Sequence, residues 1–163
     1  MWSIFAEVVS RGDTYMFSPD ITEQAARAAW FVDGPAGPSV TYVATLDGAV
    51  VATALLKPNA PGLGDHVANA GWMVAPRFSG RGVGRALAEH VIADARRLGY
   101  EGMQFNAVVA TNVSAIALWE SLGFSVVGTV PNAFRHRSEG LVSVHVMYRD
   151  LSAVGKRAGW SRT

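Results

Sequence analysis

A glycine-rich segment between an apolar run and a strongly helical pattern constrains this chain most. The apolar run ends at Val74, and the helical pattern covers residues 82–98. Glycine lets the backbone approach a ligand closely, and the first turn of a helix offers unpaired N–H groups and partial positive charge. The segment therefore predicts an anion site, usually one for phosphate. It consists of Ser79, Gly80, Arg81, Gly82, Val83, Gly84 and Arg85.

Three arginines sharpen this prediction. Arg81 and Arg85 are four residues apart, so they share one helix face, and Arg77 is close by. Like charges at this spacing repel by roughly 0.2–0.5 kcal/mol, and the helix dipole disfavours cations here. A polyanionic ligand would compensate, because each guanidinium pairs with phosphate oxygens. The alternative is a solvated loop with scattered surface charge.

Two common phosphate motifs are absent from this segment. It lacks the Gly-Lys-Ser/Thr ending of a P-loop. The dinucleotide fingerprint would need glycine at position 85, which is arginine, and an acidic residue in the next strand, where residues 103–109 have none. Both nucleotide interpretations are excluded.

The composition of the 163 residues narrows the function classes. Half of them are hydrophobic and the net charge is +1, which predicts one domain at residues 1–151 and a basic tail at 152–163. There is no basic excess for nucleic acid, no membrane-spanning run and no signal-peptide pattern. Without cysteine, disulfides and thiolate zinc sites are excluded, and no cluster has metal-ligand spacing. We expect a cytoplasmic protein that binds neither nucleic acid, membrane nor metal.

The order of elements predicts the fold class. Asp47-Gly48 between two β-prone runs is typical of a type I′ hairpin turn. Asp20 and Glu23 suggest a capped helix that runs to about Phe31, and residues 34–38 break it. Together the elements predict a mixed α/β (α+β) fold with a largely antiparallel, twisted sheet of six to seven strands and about four helices. The predicted strands are 2–9, 40–46, 49–56, 67–74, 103–108, 124–130 and 141–148, the last two around a polar loop, and the later helices are 82–98 and 112–122.

Two motifs, in this order, resemble the signatures of the GCN5-related N-acetyltransferase (GNAT) superfamily. Gly82-Val83-Gly84 fits the first, which lies between a strand and a helix, although Ser79 stands where arginine or glutamine is usual. The second extends from Asn112 to Phe124, with Trp119 at a position where tyrosine is common. The resemblance covers roughly residues 40–150 and implies acetyl-CoA as the donor. It assigns coenzyme contacts to Met73, Val74, residues 79–85, Asn112, Ala115 and Trp119.

Within the superfamily, several segments resemble fungal acetyltransferases of proline analogues such as azetidine-2-carboxylate. These segments are residues 66–70, 103–108, 128–136 and 146–148. Ser143 and His145 depart from that pattern. The subgroup implies a small-molecule amine as acceptor, an amino acid or proline analogue among the possibilities. Members of the superfamily often form dimers, so a homodimer is a further partner to consider.

Acetyl transfer needs a neutral amine, stabilisation of a developing oxyanion and a proton for the leaving thiolate. Backbone N–H groups at Met73 and Val74 are candidates for the oxyanion. Trp119 cannot supply the proton, since an indole N–H is not a useful acid at neutral pH. The thiolate then leaves unaided, or water or another side chain protonates it. His66 is a candidate base, with a structural hydrogen bond as the favoured alternative.

Candidates for acceptor contacts lie on other elements. Asn106 is polar in an apolar strand and is a candidate to bind the tetrahedral intermediate or an acceptor carboxylate; the alternative is a solvent-facing residue like Gln104. The remaining candidates are Asn69, Tyr15, Arg135 and His145. The main hypothesis is an N-acetyltransferase that transfers directly to a small amine. The alternative hypothesis is a non-catalytic acyl-CoA-binding or sensor module.

Overall fold

The computed structural model describes residues 1–31 and 39–152. The predicted helix break at 34–38 and, apart from Ser152, the basic tail lie outside the described residues. Six strands and four α-helices occur in the described part of the chain. The strands are β1 (Val40–Leu46), β2 (Ala49–Pro58), β3 (Val67–Val74), β4 (Gly102–Val109), β5 (Ser125–His136) and β6 (Gly140–Asp150). The helices are α1 (Trp2–Val9), α2 (Glu23–Trp30), α3 (Val83–Arg97) and α4 (Val113–Ser121), with short 3₁₀ turns at Gly62–Gly64 and Pro76–Phe78.

All six strands form one sheet, in the order β1-β2-β3-β4-β6-β5. Only the β3–β4 pair among the described strands is parallel. Helices α3 and α4 pack on one face of the sheet, and α1 and α2 pack on the other. The predicted mixed, largely antiparallel fold is therefore confirmed.

Local sequence signals placed several elements correctly. The hairpin turn has positive φ at Asp47 (50°) and Gly48 (76°), as a type I′ turn requires. Helix α3 begins after Gly82 and α4 after Asn112, close to their predicted starts.

The predicted strand at residues 2–9 is wrong, because these residues form α1. Ile4, Phe5 and Val9 are its buried side chains, and their spacing of one and four residues defines a helical face. Weak alternation along eight residues fits a strand and a short helix about equally, and packing against α2 and β3 decides between them.

Two predicted boundaries also change. Thr22, rather than Asp20, caps α2: its Oγ1 accepts a hydrogen bond from Ala25 N at 3.3 Å. Strand β5 continues to His136 through the stretch predicted as a polar loop. A register shift between Val130 and Phe134 absorbs the extra residues, so the polar segment stays within the strand.

Thr53 is a buried residue whose hydrogen bonds connect the β1–β2 hairpin to α2. It is 1% exposed, its Oγ1 accepts from Trp30 Nε1 at 3.2 Å, and its hydroxyl donates to the Tyr42 carbonyl at 3.0 Å. We expect Thr53→Val to lower the free energy of unfolding by about 1–3 kcal/mol, because the buried indole N–H and the carbonyl lose their partner. Urea denaturation measures this. Thr45→Val, an exposed change on the same hairpin, is the control, and equal effects of the two would contradict the role of the bonds.

Candidate active site

Strands β3 and β4 pair only at their first residues and then diverge. Their register covers Val67–Asn69 against residues 102–104. At the last paired position, Asn69 Nδ2 donates to the backbone oxygen of Gln104 at 2.9 Å. Beyond it, residues 70–74 keep their bonds to β2 but have no register partner in β4. The edge of β3 that faces the gap therefore offers backbone groups to a ligand.

An irregularity in β4 lies beside this gap. The register of β4 with β6 shifts by one residue between Phe105 and Val108, so β4 has a bulge at Asn106 and Ala107. The Asn106 side chain is exposed there. It accepts from Gln104 Nε2 and donates through Nδ2 to Asn59 Oδ1, both at 2.8 Å. Gln104 and Asn106, which are two positions apart in the strand, are thus joined by a direct hydrogen bond.

Aromatic side chains fill the base of the opening. The Trp119 ring lies 4.7 Å from Trp72 and 4.8 Å from Phe105, between centroids. Phe105 stacks on Phe124 at 4.3 Å. Trp119 is 8% exposed, so its side chain is part of the core wall and not a mobile group at the surface.

A cavity of about 320 Å³ occupies the opening. Its walls come from residues 14–17, helix α2, the second half of β2, the middle of β3, residues 105–109 and helix α4 with its N-cap residue. The predicted site residues that line it are Tyr15, Asn69, Asn106, Asn112, Ala115 and Trp119.

The glycine loop lies at the end of β3. Gly80 and Gly82 adopt positive φ of 74° and 80° with open space beside them, and both are exposed. A Cβ on Gly84 would lie 3.4 Å from Val74 Cγ2. The start of α3 is therefore held directly against the end of the strand that borders the gap, with the N–H groups of its first turn unpaired within the helix.

The three arginines near the loop differ in their surroundings. Arg77 and Arg81 are exposed and lie over the Phe78 ring, at 5.1 and 5.5 Å from its centroid. Arg85 instead donates to Ser121 Oγ at 2.6 Å and pairs with Glu89 at 3.6 Å. Arg77 and Arg81 keep their guanidinium groups available for phosphate, whereas Arg85 also connects α3 to α4.

Helix α4 begins at the cavity. Asn112 is its N-cap residue, and its Oδ1 accepts from Ala115 N at 3.3 Å and from the Ser114 hydroxyl at 3.2 Å. This bond makes the predicted coenzyme residue Asn112 also a structural cap.

Tyr15 closes the cavity from the side of α2. Its hydroxyl donates to the Trp72 carbonyl at 2.7 Å, and Gly71 leaves room for it beside Trp30. Burial raises the pKa of the Tyr15 hydroxyl above its ordinary value near 10. Tyr15 is therefore a neutral donor that holds β3 from the side of α2, and it is not a base near neutral pH.

Three predicted residues lie away from the cavity. His66 is exposed just before β3, roughly 26 Å along the chain direction from Val74. Arg135 is on the outer strand β5, with β6 between it and β4. His145 contacts Thr129 Oγ1 through Nδ1 at 2.8 Å and does not line the cavity. The structure does not bring these three side chains to the opening.

Other cavity residues were missed by the sequence reasoning. Thr14 Oγ1 and Trp72 Nε1 are buried and have no hydrogen-bond partner among the described residues. Lys57 lies at the end of the buried strand β2 and also lines the cavity. In the sequence, Lys57 is a charged residue at the end of an apolar run. This pattern could have indicated the cavity, but it is also typical of a strand end at the surface.

Comparisons with known proteins decide the family. The model of the acetyltransferase (GNAT) family matches residues 7–124, more than half of the chain. The chain belongs to the GNAT family. The structure of a GCN5-related N-acetyltransferase from Kribbella flavida is 49% identical over 92% of this chain and 89% of that one, with a TM-score of 0.85.

Two curated relatives match shorter stretches. The N-acetyltransferase aca1 of Schizosaccharomyces pombe is 39% identical over 92 residues, 56% of this chain and 44% of that protein. The [ribosomal protein bS18]-alanine N-acetyltransferase of Escherichia coli is 44% identical over 52 residues, 32% of this chain and 34% of that protein. The chain thus spans less than half the length of these curated relatives.

GNAT enzymes use acetyl-CoA, in agreement with the predicted enzyme class and donor. The site fits this donor: the β3 edge, the exposed glycines and the unpartnered Trp72 Nε1 are groups that a pantetheine amide and phosphates can pair with. Within residues 1–31 and 39–152, no group of three metal-ligating side chains is placed to hold an ion. None of the described helices has the length and apolar character to cross a bilayer.

Proposed function

We propose that this GNAT protein is an acetyl-CoA-dependent N-acetyltransferase that transfers acetyl directly to the amine of a small molecule. One observation carries the proposal. The unpaired edge of β3 leads from a cavity with polar side chains at one end to the glycine loop and the start of α3 at the other. A long donor with phosphates at one end and a reactive group at the other matches this arrangement.

The donor supplies an activated acetyl thioester. The acceptor nitrogen forms a bond to the acetyl carbon, the carbon–sulfur bond breaks, and the proton lost by the amine ends on the sulfur as a thiol. The residues of this chain contribute mainly position and hydrogen bonds. Backbone N–H groups of the loop and of α3 hold phosphate, and those at Met73 and Val74 are the candidates to stabilise the oxyanion.

The leaving thiolate is protonated without the help of an acidic side chain. Trp119 is enclosed in the aromatic cluster, and the raised pKa of Tyr15 makes it a weak acid. The lining contains no histidine or carboxylate among the described residues. Since a thiol has a pKa near 8.5, water can return the proton to the sulfur.

The size and walls of the cavity favour a small acceptor. The acceptor end is closed by Tyr15, Phe17 and Trp30, in a total volume of about 320 Å³, at the lower end of the range for small-molecule sites. The alternative acceptor is the N-terminus of a protein, as for the E. coli relative that acts on ribosomal protein bS18.

Free thiol released from acetyl-CoA tests the proposal. The acceptor panel contains small amines, free amino acids, proline analogues and peptides with an N-terminal alanine. We expect release with small amines at higher kcat/KM than with peptides. Preference for peptides would reassign the acceptor, and tight CoA binding without release for any acceptor would favour a sensor module.

Asn106 is the proposed acceptor contact at the bulge of β4. We expect Asn106→Ala to lower kcat by at least 10-fold and to leave the Kd of CoA within about twofold, because its exposed amide lies away from the glycine loop. Steady-state kinetics and CoA titration measure both values. Gln104→Ala is the control, because Gln104 does not line the cavity and the change removes its hydrogen bond to Asn106. An equal loss of CoA affinity and turnover in Asn106→Ala would assign Asn106 to the coenzyme instead.

A further inference from the structure

We propose that the acceptor carries a carboxylate and that Lys57 binds it. The inference rests on the proposed transfer to a small amine and narrows its substrate class. Three features of the cavity carry it: the position of Lys57, the charge of the lining and the distance to the phosphate loop.

Lys57 lies on the acceptor face of the sheet. It is opposite Asn69, two positions beyond the pair of Leu55 and Gly71. Paired residues, and residues two apart, share one face of a sheet. A Cβ on Gly71 would touch Trp30 and Tyr15, so this is the face covered by α2 and the segment around Tyr15. Lys57 is exposed and borders the cavity from the side opposite α3.

The lining has a net positive charge. The described lining contains Lys57 but no aspartate, glutamate, arginine or histidine. No carboxylate among the described residues lies within 4.0 Å of its amine. A cationic second group on an acceptor would meet repulsion here without compensation, whereas a carboxylate would gain a charge-assisted hydrogen bond.

The phosphates of the donor cannot be the partner of Lys57. The loop follows Val74, which pairs with Ala52, while Lys57 pairs with Asn69. Five residues of strand separate the two positions, about 17 Å at 3.3 Å per residue. The loop also has its own cations, Arg77 and Arg81, at the correct end of the strand.

Two amide side chains of the cavity lining already have hydrogen-bond partners within the protein. Asn69 donates to the Gln104 carbonyl, and Asn106 donates to Asn59 and accepts from Gln104. The Lys57 amine has no hydrogen-bond partner among the described residues, and Tyr15 and Trp30 line the same cavity. A compact amino acid has the matching parts: an apolar body, a carboxylate for Lys57 and an amine directed to the gap.

Matched pairs of acceptors test the inference. L-proline, L-phenylalanine and L-methionine are each compared with their carboxamides, with wild type, Lys57→Met and the control Arg96→Met, which removes an exposed cation from α3. We expect wild type to prefer the free acids, and Lys57→Met to raise their KM about 10- to 100-fold. The KM of acetyl-CoA should stay unchanged, and Arg96→Met should match wild type.

A binding measurement needs no turnover. With saturating CoA, the N-acetyl derivatives of the same acids should raise the melting temperature of wild type but not of Lys57→Met, and the N-acetyl carboxamides should raise neither. Equal kcat/KM for acids and amides in wild type, or an unchanged preference or thermal shift in Lys57→Met, would overturn the role of Lys57. Absence of thiol release with every amine would reject the proposed transfer, and the thermal shifts would then decide the carboxylate site separately.

Discussion

Gly82→Val should abolish the stabilisation that CoA gives to the wild-type protein. At a ligand concentration 100 times its Kd, binding stabilises the fold by about 2.7 kcal/mol, a rise of roughly 5–10 °C in melting temperature for a domain of this size. Gly82 precedes α3 with φ of 80°, and its surface is exposed with nothing within 4 Å of an added Cβ. A valine there covers the N–H groups and strains the turn that presents them.

The matched control is Gly48→Val in the β1–β2 turn. Gly48 has φ of 76°, also with open space around it, so both variants carry similar backbone strain and lose similar apo stability. Thermal denaturation with and without CoA separates strain from binding. We expect Gly48→Val to keep the full CoA shift. A full shift in Gly82→Val would disprove the phosphate role of the loop.

Gly84→Val probes the contact between α3 and β3. An added Cβ meets Val74 Cγ2 at 3.4 Å and Leu118 Cδ2 at 4.0 Å. A valine therefore pushes the start of the helix away from the strand end, and CoA affinity should fall with it.

Phe105→Ala should cost the protein about 3–5 kcal/mol of unfolding free energy. Phe105 is 5% exposed and contacts Trp72, Trp119 and Phe124 between the diverging strands. Its removal leaves a cavity that these rigid rings cannot fill by small movements. The aromatic cluster then no longer supports the opening between β3 and β4.

Urea denaturation of three variants measures this effect. Phe105→Leu keeps most of the volume and should lose less than Phe105→Ala, while Leu63→Ala, at a side chain that is fully exposed, should match wild type. A loss below 1 kcal/mol for Phe105→Ala would mean that the cluster does not hold the strands in place. Acetyl-CoA titration of the same variants then reports whether the opening keeps its shape.

Local signals in the sequence predicted much of the fold and the donor, acetyl-CoA. The Asp47-Gly48 turn, the periodicity of α3 and the cap at Asn112 each depend on a few adjacent residues. The glycine loop is a local signal of the same kind, because the anion site proposed for it depends on backbone conformation and a helix end. The strand prediction for residues 2–9 was wrong. These residues form α1, which has eight residues, and its helical face is defined by its contacts.

The lining of the cavity could not be predicted in the same way. Asn69 and Gln104 are 35 residues apart, and their hydrogen bond marks where the strands diverge. Lys57, Thr14 and Trp72 belong to different elements, and nothing in their spacing indicates that they line one cavity. His66 and Arg135 had suitable side-chain chemistry, but strand register places them elsewhere.

The amino-acid sequence is sufficient to predict the glycine loop, the helix that follows it and the family signatures, and with them the donor. These features are local, since turns, caps and helix periodicity follow from neighbouring residues. The three-dimensional structure, in contrast, determines where β3 and β4 separate, which side chains meet in that gap and that Lys57 lines the cavity there. Those properties depend on strand register and on packing between distant residues, which no local pattern encodes.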